Sequence, residues 1–266
     1  MSKPVLTVRN LRVSIRSQDK GAMAVDGVSF ALRQGEVLAV VGESGCGKTK
    51  TAESILGLLP TDTWDVQAEA IELDGVSLPM QSERKMRKIR GREISMIFQE
   101  PQTALDPVFT IGNQLCSIYR RHRNKNRKEA TLAALDKLQQ VGFADPRRIL
   151  HSYAHQLSGG MRQRVMITMA MACRPRVLIA DEPTTALDVT TQAQVLSRMT
   201  LLGREFGTSI LLITHDLGIV AQYCDRVLVM HDGRIVEKAT VHELFTDPQQ
   251  PYTRRLLAAV PKVRTA

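Results

Sequence analysis

Residues 37 to 49 read Val37-Leu-Ala-Val-Val-Gly-Glu-Ser-Gly-Cys-Gly-Lys-Thr49. The apolar run Val37 to Val41 is the pattern of a short strand buried on both faces. Gly42 to Thr49 matches G-x-x-x-x-G-K-[ST]. The glycines of that pattern let the backbone wrap phosphate oxygens, and the helix that follows adds the positive end of its dipole. Gly42, Glu43, Ser44, Gly45, Cys46 and Gly47 are therefore the candidate phosphate cradle. Lys48 is expected to reach the β and γ phosphates of a nucleoside triphosphate, and Thr49 to ligate Mg²⁺ through its hydroxyl. The short motif also arises by chance. Here it follows a buried strand and opens a helical pattern, the context its chemistry needs, so a plain glycine-rich turn is the weaker reading. Lys50 puts a second cation in the first helical turn, against the helix dipole unless bound phosphate offsets it. That makes it a candidate nucleotide contact.

A second apolar strand ends in acids. Val177-Leu-Ile-Ala-Asp-Glu182 would set adjacent carboxylates at the C-terminal edge of a parallel sheet, beside the phosphate loop. Asp181 suits the ordering of Mg²⁺, and Glu182 the base that orients water for in-line displacement at a γ phosphate. Helix capping would account for one of these acids but not for both.

Around these two segments the pattern alternates. Residues 5 to 16 and 28 to 33 read as half-buried strands, and Ile55 to Leu59 continues a helix that Pro60 ends. Strands follow at Ala70 to Leu73, closed by an Asp74-Gly75 turn, and at Ile94 to Phe98. From about 101 to 160 the strand pattern stops. Leu132, Leu135, Leu138 and Val141 carry helical spacing, which predicts a helical subdomain. Alternation then resumes with strands at Val177 to Ala180, Ser209 to Ile213 and Arg226 to Met230, a helix from about Val189, and a hairpin at Asp232-Gly233 leading to Arg234 to Glu237. A tail from about 240 to 266, with Pro251-Tyr-Thr-Arg, reads as a short docking helix. The expected fold is α/β, with a mostly parallel core sheet and helices on both of its faces.

The bulk composition bounds the partners. Among 266 residues, 43% are hydrophobic and 24% charged, ordinary values for a globular protein. The four cysteines are scattered without a C-x-x-C pair, which suits a reducing compartment and argues against a zinc site. No run approaches the ~18 apolar residues that a spanning helix needs, and no secretory h-region opens the chain. The net charge of +9 is concentrated in Arg84 to Arg92 and Arg120 to Lys128. These runs read as solvated helical surfaces or as attraction to anionic lipid or an acidic partner. No recognition motif accompanies them, so nucleic acid is not expected as a partner.

Between the two sites lies Leu157-Ser-Gly-Gly-Met161, where Ser158 reads as a helix N-cap and the glycines expose amides at a helix start. With the phosphate loop upstream and Asp181-Glu182 downstream, this segment resembles the signature of ABC-type ATPases. Gln99 follows the strand Ile94 to Phe98 where that family has its Q-loop. Ala186-Leu-Asp188 resembles the D-loop, and His215 follows Ser209 to Ile213 as the switch histidine does. The order and spacing of these six motifs extend the resemblance over nearly the whole chain. It implies a P-loop ABC-type nucleotide-binding domain with N-terminal antiparallel strands and a helical subdomain that carries the signature. It also implies hydrolysis of ATP with Mg²⁺, in which Lys48, Gln99, Glu182 and His215 are catalytic and Thr49, Gln99 and Asp181 hold the metal. A head-to-tail pair of ATPase chains is implied too, the loop of one facing Ser158 and Gly160 of the other, and Asp188 is implied among the nucleotide-binding residues.

The stretches Ile97 to Pro107, Ala180 to Val189 and Pro251-Tyr-Thr-Arg look like the oligopeptide, dipeptide and nickel importer group. A second ATPase subunit, two transmembrane permease subunits and, indirectly, an extracytoplasmic solute-binding protein are the partners this implies, at the cytoplasmic face of the inner membrane. The end at Ala266, without a cysteine-rich extension, resembles the short nickel-import subunits. A soluble ABC ATPase acting on ribosomes or DNA is the alternative. Two departures stand out: Ile15 occupies the position where many relatives stack an aromatic on adenine, and Lys50 replaces a small hydroxyl residue. Cys46, inside the loop, is expected to be accessible to thiol reagents. His151 and His155, spaced i, i+4, are not read as a metal pair, since no third ligand is evident. Met161, Met166, Met169 and Met171 read as core filling.

Overall fold

The computed structural model describes residues 3–16, 22–78, 82–99, 104–184 and 187–259. The chain divides into two compact units, Met1–Met80 with Leu211–Ala266, and Gln81–Ile210.

In the first unit, β1 (Pro4–Ile15) and β2 (Met23–Arg33) pair antiparallel, and β3 (Val37–Val41) follows. Val5, Leu6, Val8, Leu11 and Val13 are buried along β1. That is the alternation expected of a half-buried strand, with register shifts after Val8 and Leu11. All five residues of β3 are buried, as an unbroken apolar run requires. The helix α1 (Lys48–Ile55) ends sooner than its sequence suggests. Gly57 turns left-handed at φ 59°. The N–H of Leu58 then donates to Glu53 O at 2.9 Å, and that of Gly57 to Ser54 O at 3.0 Å. This is a Schellman stop, so Ile55 to Leu59 is a helix end rather than a continuation. Three short strands complete this part: β4 (Trp64–Gln67), β5 (Ala70–Leu73) and β6 (Val76–Ser77). The sheet order is β2-β1-β5-β6, with β4 on the end of β1.

The second unit opens with α2 (Glu83–Ile89) and β7 (Ile94–Ile97). Among the described residues 104–157 no strand occurs. The segment folds into α3 (Ile111–Arg123), α4 (Arg127–Gln140), α5 (Pro146–His151) and a single 3-10 turn at Ala154–Gln156. Local chemistry sets the boundaries. Thr110 caps α3, an Asn126–Glu129 capping box opens α4, and Asp145 with Pro146 starts α5. The buried face of α4 is offset from the Leu132-Leu135-Leu138-Val141 stripe. Ala130, Ala134, Lys137 and Leu138 are buried, whereas Leu132 is 59% exposed. Small alanines allow close helix packing, and that outweighs the leucine spacing. The unit continues with α6 (Gly159–Ala170), β8 (Val177–Asp181), α7 (Val189–Phe206) and β9 (Ser209–Ile213). β7 and β8 pair in parallel, and Ser209 N–H donates to Arg176 O at 2.9 Å beside β8. Residue 101, where the helical segment is expected to begin, and Ala186 lie outside the described residues.

The end of β9 returns the chain to the first unit, followed by α8 (Leu217–Tyr223), β10 (Arg226–His231), β11 (Arg234–Thr240), α9 (Val241–Thr246) and α10 (Pro251–Ala258). β10 pairs in parallel with β3 and forms an antiparallel hairpin with β11. One core joins these elements: Ala39, Val41, Leu217, Val220, Val227, Val229, Leu244 and Tyr252. The tail is thus packed onto the strands behind the phosphate loop.

Candidate functional site

The phosphate loop leaves the buried strand β3 at Gly42. A Cβ there would stand 2.1 Å from Met230 O and 2.8 Å from Cys46 Sγ, so only glycine lets the backbone pass between β10 and the loop's own interior. Gly47 caps α1 in the left-handed region, φ 102°. No acidic residue sits in the first turn of α1, which leaves the positive end of its dipole for an anion. Lys48 is 6% exposed. Its ammonium donates to Gly42 O and Glu43 O, each at 2.8 Å, with Cys46 Sγ 3.8 Å away. The loop is therefore wrapped around the lysine. Glu43, Ser44 and Gly45 form its exposed rim, and Thr49 is half-buried in the first helical turn.

Cys46 departs from expectation. It is 6% exposed, because its side chain points into the loop toward Lys48 and Gly42 rather than outward. Burial pushes its thiol above the ordinary value, despite the lowering influence of Lys48. A buried protonated thiol is a poor nucleophile, so Cys46 is not the accessible reactive group that its place in the motif suggests.

The tail supports the loop from behind. The N–H of Glu43 donates to the Tyr252 hydroxyl at 3.2 Å, and the Tyr252 ring stacks on His231 with centroids 3.9 Å apart. Glu237 anchors the start of α10. It accepts from the backbone N–H of Gln249 at 2.8 Å and of Gln250 at 3.0 Å, and from Thr253 Oγ1 at 2.5 Å. Burial pushes the Glu237 carboxyl up, but those donors outweigh it and hold the group below the usual carboxylate range. Gly233 N–H donates to Cys46 O at 3.1 Å, so the β10–β11 hairpin touches the same loop. Thr214 N–H donates to Val40 O at 3.2 Å, which brings the exposed His215 to the strand ends where the loop begins.

In the second unit, β8 ends on Asp181, 2% exposed. Glu182 follows in the left-handed region at φ 44°, a conformation that a non-glycine residue adopts at a cost and that recurs at functional sites. Gln99 Nε2 donates to Glu182 Oε2 at 3.2 Å, so the structure brings these two together across 83 positions of sequence. The buried Gln163 amide donates to Pro183 O and fixes the turn that follows. Ser158 caps α6, accepting from Met161 N–H at 3.3 Å. Asp188 caps α7, accepting from Thr191 N–H at 2.9 Å. That N–H, with the Thr191 hydroxyl, holds the Asp188 carboxyl below its ordinary value. Ser158, Gly160 and Asp188 line one cavity of about 320 Å³. Two helix N-termini thus converge on it, an arrangement that favours anions.

Ile15, 41% exposed, ends β1 opposite Trp64, and Lys50 is held by Glu53 at 2.7 Å. The loop, Ile15, Lys50 and His215 belong to one unit; Gln99, Ser158, Gly160, Asp181, Glu182 and Asp188 belong to the other. His151 and His155 lie on different short helices, and His151 Nδ1 is 2.8 Å from Arg147 O, so the helical metal pair has no basis here. The contacts made by Tyr252, Trp64, Gln163 and Thr191 carry no motif of their own. Only Pro251-Tyr-Thr-Arg, as a docking helix, pointed to any of them.

The sequence profile described as ABC transporter matches residues 25–185. The chain belongs to the ABC transporter family. It is 50% identical over 259 residues to the oligopeptide transport ATP-binding protein AppD of Bacillus subtilis (strain 168), covering 97% of this chain and 79% of AppD. It is also 50% identical over 264 residues to the glutathione import ATP-binding protein GsiA of Shigella flexneri, covering 97% of this chain but only 42% of GsiA. The dimeric structure of MJ0796, a bacterial ABC transporter cassette, matches with a TM-score of 0.76 at 25% identity, over 89% of this chain and 98% of the other. A post-hydrolysis state of that cassette, bound to ADP and Pi, matches equally. This ABC family member is an ATPase that uses ATP and Mg²⁺. Its residues fit both. The loop offers amides and an ammonium to phosphates, and Thr49, Gln99 and Asp181 each carry a side-chain oxygen, the hard donor type that Mg²⁺ prefers. Among the described residues no group of three or more His, Cys, Asp or Glu forms a cage for an ion. Mg²⁺ needs none when phosphates complete its shell.

Proposed function

We propose that the chain is the ATP-hydrolysing subunit that energises a membrane importer for short peptides. The observation that carries this reading is 50% identity along 97% of the chain to the ATP-binding proteins of an oligopeptide and a glutathione transporter. Nickel, free or chelated, is the second cargo suggested by the tail. It has no counterpart in the names of those two relatives, so short peptides come first.

In this reading the phosphate loop, Lys48 and the N-terminus of α1 bind the triphosphate, and Ile15 meets the base. Thr49, Gln99 and Asp181 hold Mg²⁺, which supplies neutralising charge on the phosphate oxygens. Glu182 accepts the proton of the attacking water, with Gln99 and His215 orienting water and phosphate. Ser158 and Gly160 bind the nucleotide of a second ATPase subunit, with Asp188 bracing that junction. Two permease subunits anchor the pair at the cytoplasmic face of the membrane. No helix among the described residues is long and apolar enough to cross it, so in this reading attachment is through the permeases. Closure on ATP and opening after hydrolysis drive them, and a solute-binding protein delivers cargo from outside.

The test is co-expression with the permease pair and a partner ATPase, followed by reconstitution with the binding protein. Peptide-loaded binding protein should stimulate hydrolysis, and nickel-loaded binding protein should not. Stimulation by nickel alone would move the cargo to metal. Failure to co-purify with any membrane subunit would refute the importer.

A further inference from the structure

The single tryptophan of the chain, Trp64, stands beside the phosphate loop rather than in a core. It opens β4 directly opposite Ile15, and opposed residues of an antiparallel pair share a face of the sheet. Ile15 is 41% exposed and Trp64 is half-buried, so the two present an apolar, partly aromatic surface to solvent. The pairing is closed beyond Ile15. Arg16 N–H donates to Thr63 O at 2.8 Å, and the guanidinium reaches Trp64 O at 3.2 Å and Asp65 at 3.3 Å.

Lys50 ties this surface to the phosphate loop. It is the residue after Thr49, in the first turn of α1. Its ammonium lies 4.9 Å from the centre of the Trp64 ring and 2.7 Å from Glu53. A cation over an indole is favourable. It also draws the lysine's charge off the helix end, which answers the objection that a second cation opposes the dipole. The aromatic ring is therefore one lysine side chain away from the loop that holds the triphosphate, and what projects from a triphosphate there is a sugar and a planar base.

We infer that Trp64 is the stacking surface for the nucleobase of ATP, with Ile15 as the aliphatic contact beside it and Lys50 as the cation that links ring and phosphate loop. Stacking uses the face of a base and not its hydrogen-bonding edge, so it tolerates every base. ATP and GTP should bind with similar strength. The inference concerns nucleotide recognition and is independent of what the protein transports.

The lone indole allows a direct test in the full-length chain. Its emission should change on saturation with MgATP and equally with MgGTP. Magnesium tripolyphosphate, which competes for the loop but carries no base, should leave it near the unliganded value. By calorimetry, Trp64→Ala should weaken MgATP binding about tenfold and leave tripolyphosphate affinity unchanged, while Trp64→Phe should keep most of the ATP affinity. The inference is overturned if tripolyphosphate changes the emission as much as ATP does. It is overturned as well if Trp64→Ala binds ATP normally, or if that substitution weakens both ligands alike.

Discussion

Gly160 lies in the first turn of α6, and a Cβ placed there would meet Thr191 Cγ2 at 2.5 Å, with Thr191 Cβ and Oγ1 at 3.9 and 4.0 Å. Carbon atoms rest about 3.5–4.0 Å apart, so Gly160→Ala forces a methyl–methyl overlap of roughly 1 Å. Turning Thr191 away does not relieve it. Its N–H is held by the Asp188 carboxylate at 2.9 Å, and its hydroxyl bonds the same group. The starts of α6 and α7 must therefore separate, an overpacking that costs about 1–3 kcal/mol and lowers Tm by about 2–4 °C for each kcal/mol. Thr191→Ser removes the offending methyl and keeps the hydroxyl. Alone it should cost less than about 0.8 kcal/mol, the worth of one fully buried carbon, because Thr191 is only half-buried. Combined with Gly160→Ala it should recover most of the loss, a favourable coupling of about 1–2 kcal/mol. Urea denaturation of the parent, both single variants and the double variant measures that coupling. If Gly160→Ala is as stable as the parent, or if the double variant equals the sum of the singles, the packing argument fails.

Two further outcomes follow from the same geometry. Tyr252→Phe removes the acceptor of the Glu43 N–H while keeping the ring on His231. One net hydrogen bond is worth about 1 kcal/mol, so KM for ATP should rise about fivefold with kcat unchanged; steady-state hydrolysis measures this, and an unaltered KM would remove the tail from the nucleotide site. Lys137 is buried with its ammonium 3.8 Å from the centre of the Phe206 ring, and burial, then the charge of Arg174, push its pKa down to about 8. The folded value lies below the unfolded one, about 10.4. The native state therefore binds fewer protons between the two, and stability should climb as pH rises from about 8 toward 10.4. Lys137→Met should flatten that climb in urea titrations at several pH values, and an equal climb in the variant would place its origin elsewhere.

Much of the site could be read locally because its chemistry is local. Gly42 to Thr49 behind Val37 to Val41, and Asp181-Glu182 at the end of β8, each carry strand, turn and donor groups within a dozen residues. Ser158 was legible as a cap for the same reason, since a helix cap is a matter of three neighbouring residues, whereas Asp188 entered only through its likeness to the D-loop and its cap on α7 came from the structure. What escaped was set at a distance. Glu43 meets Tyr252 across 209 positions, and no periodicity records such a contact. Trp64–Gln67 is too short and polar to announce a strand, and exists because the end of β1 pairs with it. Leu132 faces outward because α4 packs through Ala130 and Ala134, where small size counts for more than hydropathy. Cys46 has the same cause, since its burial follows from the loop's curl around Lys48 and not from its neighbours in sequence.

In the proposed mechanism Glu182, held by Gln99 just past the end of β8, accepts the proton of the attacking water. Glu182→Gln keeps the size of the side chain and removes its capacity to accept a proton. The measurement is ATP turnover beside the nucleotide retained after gel filtration. Turnover should fall by about 100-fold or more while ATP remains bound at parental affinity; a variant that still hydrolyses ATP at a substantial fraction of the parental rate would contradict the account.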